Sequence, residues 1–238
     1  MKKIFYTFAI LLILIILVLG YLGFVPGVSS IFGSNKPRDL GISARSSDEQ
    51  SMAAKLDIKY TVLSSASSPQ ASLQLSGSKK LDTIFSDREL TGLMAQYEKA
   101  WKYYLISDAQ VRFNADGTGE VSGILNVDRI YGYAAAAGLT AEEVKPWLDK
   151  VKIFTSNPPI YLKGKAETKN GVLTGELQTL EIGRLPVPAS ILPNNAVMVD
   201  FIQNRLTKLG IKIQNASIES GKVNFQGAIP TSVGLLAK

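Results

Sequence analysis

The sequence predicts an α+β protein: an N-terminal transmembrane helix followed by a highly curved antiparallel sheet of long hairpins wrapped around two or three amphipathic helices. Three observations carry this reading. Ile4 to Val25 holds no charged residue. Three later segments each read strand, tight turn, strand. Two capping boxes open helices whose apolar residues fall on one stripe.

The apolar run comes first. As a helix it would be roughly 33 Å long at about 1.5 Å per residue, enough for a bilayer core of about 30 Å. A removable signal has a shorter core and a small-residue cleavage site, so retention is the expectation. Lys2 and Lys3 precede the run and no basic residue follows until Lys36, so the N-terminus is expected in the cytoplasm and the remainder outside the cell membrane. Residues 26–56 read as a Gly-, Ser- and Pro-rich linker. Within it, Asp48–Leu56 reads either as a short helix or as a loose juxtamembrane segment. The exported domain is expected over 57–230 and a flexible tail over 231–238.

Inside the domain, Asp57–Leu63 alternates as a strand with Ile58, Tyr60 and Val62 on one face. Leu73 and Leu75 resume the alternation, and Lys80–Phe85 is a further strand. Ser86-Asp87-Arg88-Glu89 is a capping box flanked by the hydrophobic-staple pair Phe85 and Leu90. Behind it Leu90, Leu93, Met94, Tyr97 and Trp101 keep helical spacing. The hairpins are Val111–Gly123, turning at Asp116-Gly117, Ile160–Leu177, turning at Asn170-Gly171, and Ile218–Ile229, turning at Ser220-Gly221. Side-chain parity breaks between Leu177 and Leu180 and between Ile213 and Ala216, which predicts a bulge at each point. Thr140-Ala-Glu-Glu143 is the second capping box, heading a helix through Val144, Trp147, Leu148 and Val151. Tyr131–Ala137, ended by Gly138, is a short helix. Asn195–Leu209 is the third strong helix, striped by Val199, Ile202, Leu206 and Leu209 and capped by Gly210.

Composition restricts the chemistry. The 238 residues include no cysteine and no histidine. That removes disulfides, thiolate nucleophiles, His-based triads and nearly all zinc or iron sites. The net charge of +6 is not gathered into a basic stripe with interleaved aromatics, so nucleic acid is not an expected partner. Asn114–Glu120 faintly resembles a calcium loop but lacks the repeated ligands, and a hairpin turn is favoured. Asn215-Ala216-Ser217 is a glycosylation sequon placed on a strand. No metal, cofactor or catalytic residue is expected. The stripe Leu90, Leu93, Met94, Tyr97 and Trp101, with Ile202 and Leu206 from the last helix, reads either as core packing or as the lining of a dry slot for an apolar ligand.

Phe85-Ser-Asp-Arg-Glu-Leu-Thr-Gly-Leu93 resembles the helix opening of bacterial YpmS-like membrane-anchored proteins. Leu180-Glu-Ile-Gly-Arg-Leu-Pro-Val-Pro-Ala-Ser190, followed by a helix and a closing strand, resembles them as well. Those proteins are similar to the TULIP (tubular lipid-binding) class, and the resemblance implies a curved sheet wrapped round a helix beside a lipid slot. It brings no catalytic residues. The leading expectation is a non-catalytic protein that binds a membrane lipid or another apolar envelope ligand. The alternatives are an adaptor for a cell-envelope protein and a Ser–Lys or carboxylate hydrolase.

Overall fold

A computed structural model describes residues 2–23, 25, 27–143, 145, 157–188 and 195–238. The chain is α+β, with a strongly curled antiparallel half-barrel sheet, a small second sheet and several helices. Helix α1 (Lys2–Tyr21) carries the apolar run. It stops earlier than the run does, because Gly23 turns the backbone into the left-handed region at φ 95°. Side chains along it are described continuously only from Ala9. Among the described residues no helix is long and apolar enough to cross a membrane.

The large sheet is built on the hairpin β6 (Pro159–Lys169) and β7 (Val172–Ile182). Its turn has Asn170 at φ 51° and Gly171 at φ 80°, the paired positive angles of a type I′ connection. Ser220 and Gly221 (φ 49° and 73°) do the same between β9 (Lys212–Glu219) and β10 (Lys222–Ile229). The third predicted hairpin is β4 (Ile106–Phe113) and β5 (Thr118–Leu125). Strand β3 (Lys79–Ser86) lies beside β10, and two-residue β8 (Leu185–Pro186) lies beside β7.

Strand β6 changes neighbours halfway along one edge. It pairs with β5 from Pro159 to Lys165, then with β9 at Thr168, while β7 follows its other edge throughout. The sheet therefore forks into two wings, β3-β10-β9 and β4-β5. Helix α4 (Asp87–Ala100) fits between them. It leaves directly from β3, and Thr91 Oγ1 accepts a hydrogen bond (3.0 Å) from the Val111 amide of β4. One feature of the sequence fits this placement: Gly92 is buried where helix α3 (Ser46–Leu56) crosses, with a Cβ there lying 3.1 Å from Glu49 Cγ and 3.2 Å from the Cβ of Ala44.

Both predicted bulges occur, at the Lys163/Gly164 and Gln226/Gly227 registers, and a third sits between Ser107 and Gln110. Each lies against a glycine. A Cβ on Gly164 would stand 2.5 Å from Glu176 O, one on Gly227 would strike Lys212 O, and one on Gly123 would stand 3.0 Å from Ser107 O. The bulged strand leans into its partner there, and only a residue without a side chain leaves room.

The predicted α4 cap is present: Glu89 N–H donates to Ser86 Oγ (3.2 Å) and Ser86 N–H to Glu89 Oε2 (2.8 Å). Phe85 and Leu90 join one cluster with buried Met52, Leu56 and Ile229. The second capping box also forms, with Thr140 N–H donating to Glu143 Oε2 (2.7 Å). The helix expected through Val144, Trp147, Leu148 and Val151, and Ala189 and Ser190 of the second family motif, lie outside the described residues. Helix α5 (Ile130–Ala136) ends at Gly138, and α6 (Asn195–Lys208) ends at Gly210, both with positive φ.

Two expectations are corrected. Residues 231–238 are not a flexible tail: β11 (Ser232–Leu236) is the middle strand of the second sheet, parallel to β1 (Lys59–Leu63) and antiparallel to β2 (Leu73–Ser76). Val233 and Leu235 are buried against Trp101, and the apolar gain of that contact holds the strand in place. Nor is 26–47 a loose tether, and of the two readings of Asp48–Leu56 the short helix is the one that forms. Helices α2 (Val28–Ile31) and α3 (Ser46–Leu56) form within 26–56, and the stretch between them straps across the sheet. Arg38 donates to both Glu181 oxygens (3.0 and 2.8 Å) and lies 3.7 Å from the centre of the Tyr161 ring. Leu40 is 2% exposed, its amide donating to Gln110 Oε1 (2.8 Å). The end of α1 is fixed too: Arg184 N–H donates to Leu22 O, and its guanidinium to Phe32 O.

Candidate apolar binding cavities

Helices α4 and α6 both pack on the concave side of the forked sheet. Alternation in β9 and β10 sends Ile213, Ala216, Ile218, Val223 and Phe225 to that side, with the Gln214 bulge keeping Ile213 in phase with Ala216. Two apolar cavities result. The first, about 290 Å³, lies between α4 and the second sheet and is walled by Leu93, Tyr97 and Trp101, by Tyr104 and Tyr133, and by Leu73, Leu75 and Val233. The second, about 510 Å³, lies between α6 and the large sheet, under Met198, Val199, Ile202 and Leu206 and over Val121, Leu162, Leu173, Leu177 and Ile213. Small-molecule sites begin at about 300 Å³, so the second has ligand size and the first stands at the limit.

The seven candidate residues do not form one site. Leu93, Tyr97 and Trp101 line the aromatic cavity; Ile202 and Leu206 line the sheet cavity. Leu90 is core, packed with Phe85 and Met52, and Met94 lines neither cavity. Spacing along α4 correctly groups a face, but a helix between two sheets divides that face among different neighbours. Sequence reasoning missed Tyr104, Tyr133 and Val233. The signals for them were slight: an aromatic run after Trp101, an aromatic in a short Ala-rich helix, and an apolar Val-Gly-Leu-Leu near the end of the sequence.

The two cavities differ in character. Around the aromatic one, Tyr97 and Tyr104 stack at 20° with centroids 6.1 Å apart, and Trp101 and Tyr133 meet at 5.5 Å. The indole N–H donates to buried Ser72 Oγ (3.3 Å). Burial pushes the Tyr97 phenol well above its usual range, reinforced by Tyr60 and Tyr104, and burial does the same for Tyr104 and Tyr133. Tyr60 Oη is buried without a hydrogen-bond partner among the described residues. Four aromatic side chains thus line this cavity. The sheet cavity is looser: Ile202 lines it and is still 42% exposed.

Among the described residues the aromatic cavity is lined by no acidic or basic side chain, and the sheet cavity carries Lys165, Glu167 and Glu176 in its lining. The strongly shifted carboxylate is Glu89, at the α3–α4 contact. Burial would raise it, but hydrogen bonds from Lys55, Ser51 and the Ser86 amide, with the Lys55 charge, hold it down at about 2. Its surroundings make it a structural group. Asp116 of the Asn114–Glu120 turn is taken up by Thr118, whose amide and hydroxyl donate to it at 2.9 and 2.6 Å. Asn215 of the sequon lies mid-strand and donates to Gln226 Oε1 (2.6 Å). Among the described residues no group of three or more acidic side chains is placed to hold a metal ion. No family model, curated protein or solved structure matches this chain.

Proposed function

We propose that the protein is a membrane-anchored, extracytoplasmic, non-catalytic binder of a lipid or similar apolar ligand, held in the sheet cavity beneath α6. The single observation that carries this is a ligand-sized apolar cavity whose helical cover leaves Ile202 part-exposed. A filled core would bury that side chain for a gain of about 1.5–3 kcal/mol. The apolar sequence of α1 supports the anchor, and the lysines before it support export of the domain. The helix held against a curled sheet is also what kinship with the YpmS-like proteins and the TULIP class would give, and that kinship is part of the proposal.

The test is native mass spectrometry of the full chain released from nanodiscs of one defined phospholipid. Wild type is expected to retain lipid, and Ala216→Trp, which fills the cavity from β9, is expected to lose it at an unchanged melting temperature. Equal retention by both, or by neither, overturns the reading. A second reading, an adaptor for an envelope protein, draws on Val197 and Phe201, which stand 61% and 48% exposed on α6. Crosslinking in intact cells separates the two, since an adaptor yields one dominant protein adduct dependent on Phe201.

A further inference from the structure

The last turn of α1 does not stand clear of the rest of the chain. Residues 28–34 fold back along it: a Cβ on Gly20 would strike Val28 Cγ1, and Ser34 Oγ donates to Gly20 O (2.6 Å). The Tyr21 and Phe32 rings meet edge to face with centroids 5.9 Å apart. The β7–β8 corner closes on the same turn. Arg184 N–H donates to Leu22 O (3.1 Å), and the Arg184 guanidinium lies 4.9 Å from the centre of the Tyr21 ring. Next to it, Gly183 N–H donates to Pro159 O (2.7 Å), the first residue of β6. Distant parts of the sequence thus form a collar around the end of α1.

This collar is built inside out. Ser29 and Ser34 are 2% and 1% exposed, whereas Ile31 is 80% exposed and Tyr21, Phe32 and Leu185 are exposed as well. Water favours the opposite arrangement. The buried hydroxyls are tolerated because each is paired within the collar. Ser29 Oγ donates to Val25 O (2.7 Å) and accepts from the Val25 amide (3.2 Å), as Ser34 Oγ donates to Gly20 O. Polar groups satisfied internally, with apolar side chains turned outward, are what a lipid surrounding requires.

We infer that the collar is embedded in the headgroup boundary of the outer leaflet, and that its partner is the phospholipid surface itself. This rests on the membrane-anchor reading above and adds how the domain is seated. The 20 residues of α1 give a helix of about 30 Å, so with Lys2 and Lys3 inside its last turn reaches the outer boundary. Whatever packs on Gly20 and Tyr21 lies at that same depth, where lipid covers Ile31 and Leu185. Tyr21 and Phe32 are the aromatics such a boundary enriches, and Arg184 sets a cation at the level of the phosphates. The domain is thereby clamped to the bilayer by the Pro159 end of β6 and the Ile182 end of β7, with the Asn170-Gly171 turn at the opposite end of that hairpin.

The chain has no cysteine, so single nitroxides can be placed cleanly on the full chain in nanodiscs of one defined phospholipid. The variants are Ile31→Cys and Leu185→Cys in the collar, Ile10→Cys midway along α1, and Val172→Cys beside the far turn, all at exposed side chains. Electron paramagnetic resonance reads collisions of each label with oxygen, which concentrates in hydrocarbon, and with a water-soluble nickel chelate. The oxygen-to-nickel ratio at Ile31 and at Leu185 should stand several-fold above that at Val172, with Ile10 higher still. A ratio at either collar site equal to that at Val172, with Ile10 high, overturns this inference and leaves the anchor standing. A ratio at Ile10 as low as that at Val172 overturns both.

Discussion

Glu89 is an ionic group held from several sides at the α3–α4 contact, and its removal can be worked through. The carboxylate is 4% exposed, yet it caps α4, bonds Ser51 Oγ and pairs with Lys55 Nζ at 2.6 Å. Its pKa falls from 4.5 to about 2 on folding. At about 1.36 kcal/mol per unit, the ionised form contributes on the order of 3 kcal/mol to stability. Because the folded value is the depressed one, that contribution is complete above pH about 4.5 and is lost as pH falls from there toward 2. Glu89→Gln keeps the shape but only one of the two acceptor oxygens, and it leaves Lys55 without its charge partner. Urea unfolding of the full chain in detergent micelles, followed by tryptophan fluorescence, should give a midpoint at pH 7 about 1–3 M below wild type, given slopes of about 1–3 kcal/mol/M. Between pH 5 and 3 the wild type should lose stability faster than the variant, so that the two curves converge. Parallel curves over that range would show that Glu89 is not held ionised by these contacts, and the reasoning would be refuted.

The remaining predictions concern packing and phenols. Gly164→Ala puts a Cβ against the Glu176 carbonyl and should cost about 2 kcal/mol, read as a lower melting temperature; an unchanged value would mean the strand can retreat there. Deleting Ser232–Lys238 removes the central strand of the second sheet and should abolish cooperative unfolding, whereas removal of a mere tail would leave it intact. Trp101→Ala should cost about 3–5 kcal/mol in urea titrations, as for other buried aromatics. Phenolate absorbance should show Tyr97, Tyr104 and Tyr133 silent past pH 10 until the chain unfolds. Since their folded values are raised, the stability they contribute is complete below about pH 10 and lost above it; early titration of all nine tyrosines would contradict the burial described.

What could be read from the sequence was what local chemistry decides. Asn170-Gly171 and Ser220-Gly221 set positive φ angles wherever they stand, Ser86 and Glu89 close a cap within four residues, and broken alternation at Leu177 and Ile213 requires a bulge. What escaped depends on distant partners. Leu40 is core only because Gln110 and Arg112 hold its backbone, and Arg112 does so by donating to Leu40 O. Nothing around Leu40 announces this. The glycines opposite the bulges have a meaning only once the register is known. The candidate site divided for the same reason: the α4 stripe carries no mark of which sheet each residue will meet.

The place of β11 in its sheet also bears on how the chain is made. Lys59 must wait for Ser232, and Ser76 for the same strand, so both neighbours are synthesised long before the strand that joins them. At about 5–20 residues per second the interval is on the order of 10 s. During it the faces of Leu73, Leu75 and Trp101 that Val233 and Leu235 finally cover remain open to water. Most of the large sheet can assemble hairpin by hairpin as it emerges, with β3 waiting for β10, while the aromatic core closes only after β11 has been made, through a non-local parallel pairing, the slow kind. A chaperone that shelters apolar surface during that interval should therefore raise the yield of folded protein more than one that accelerates hairpin formation.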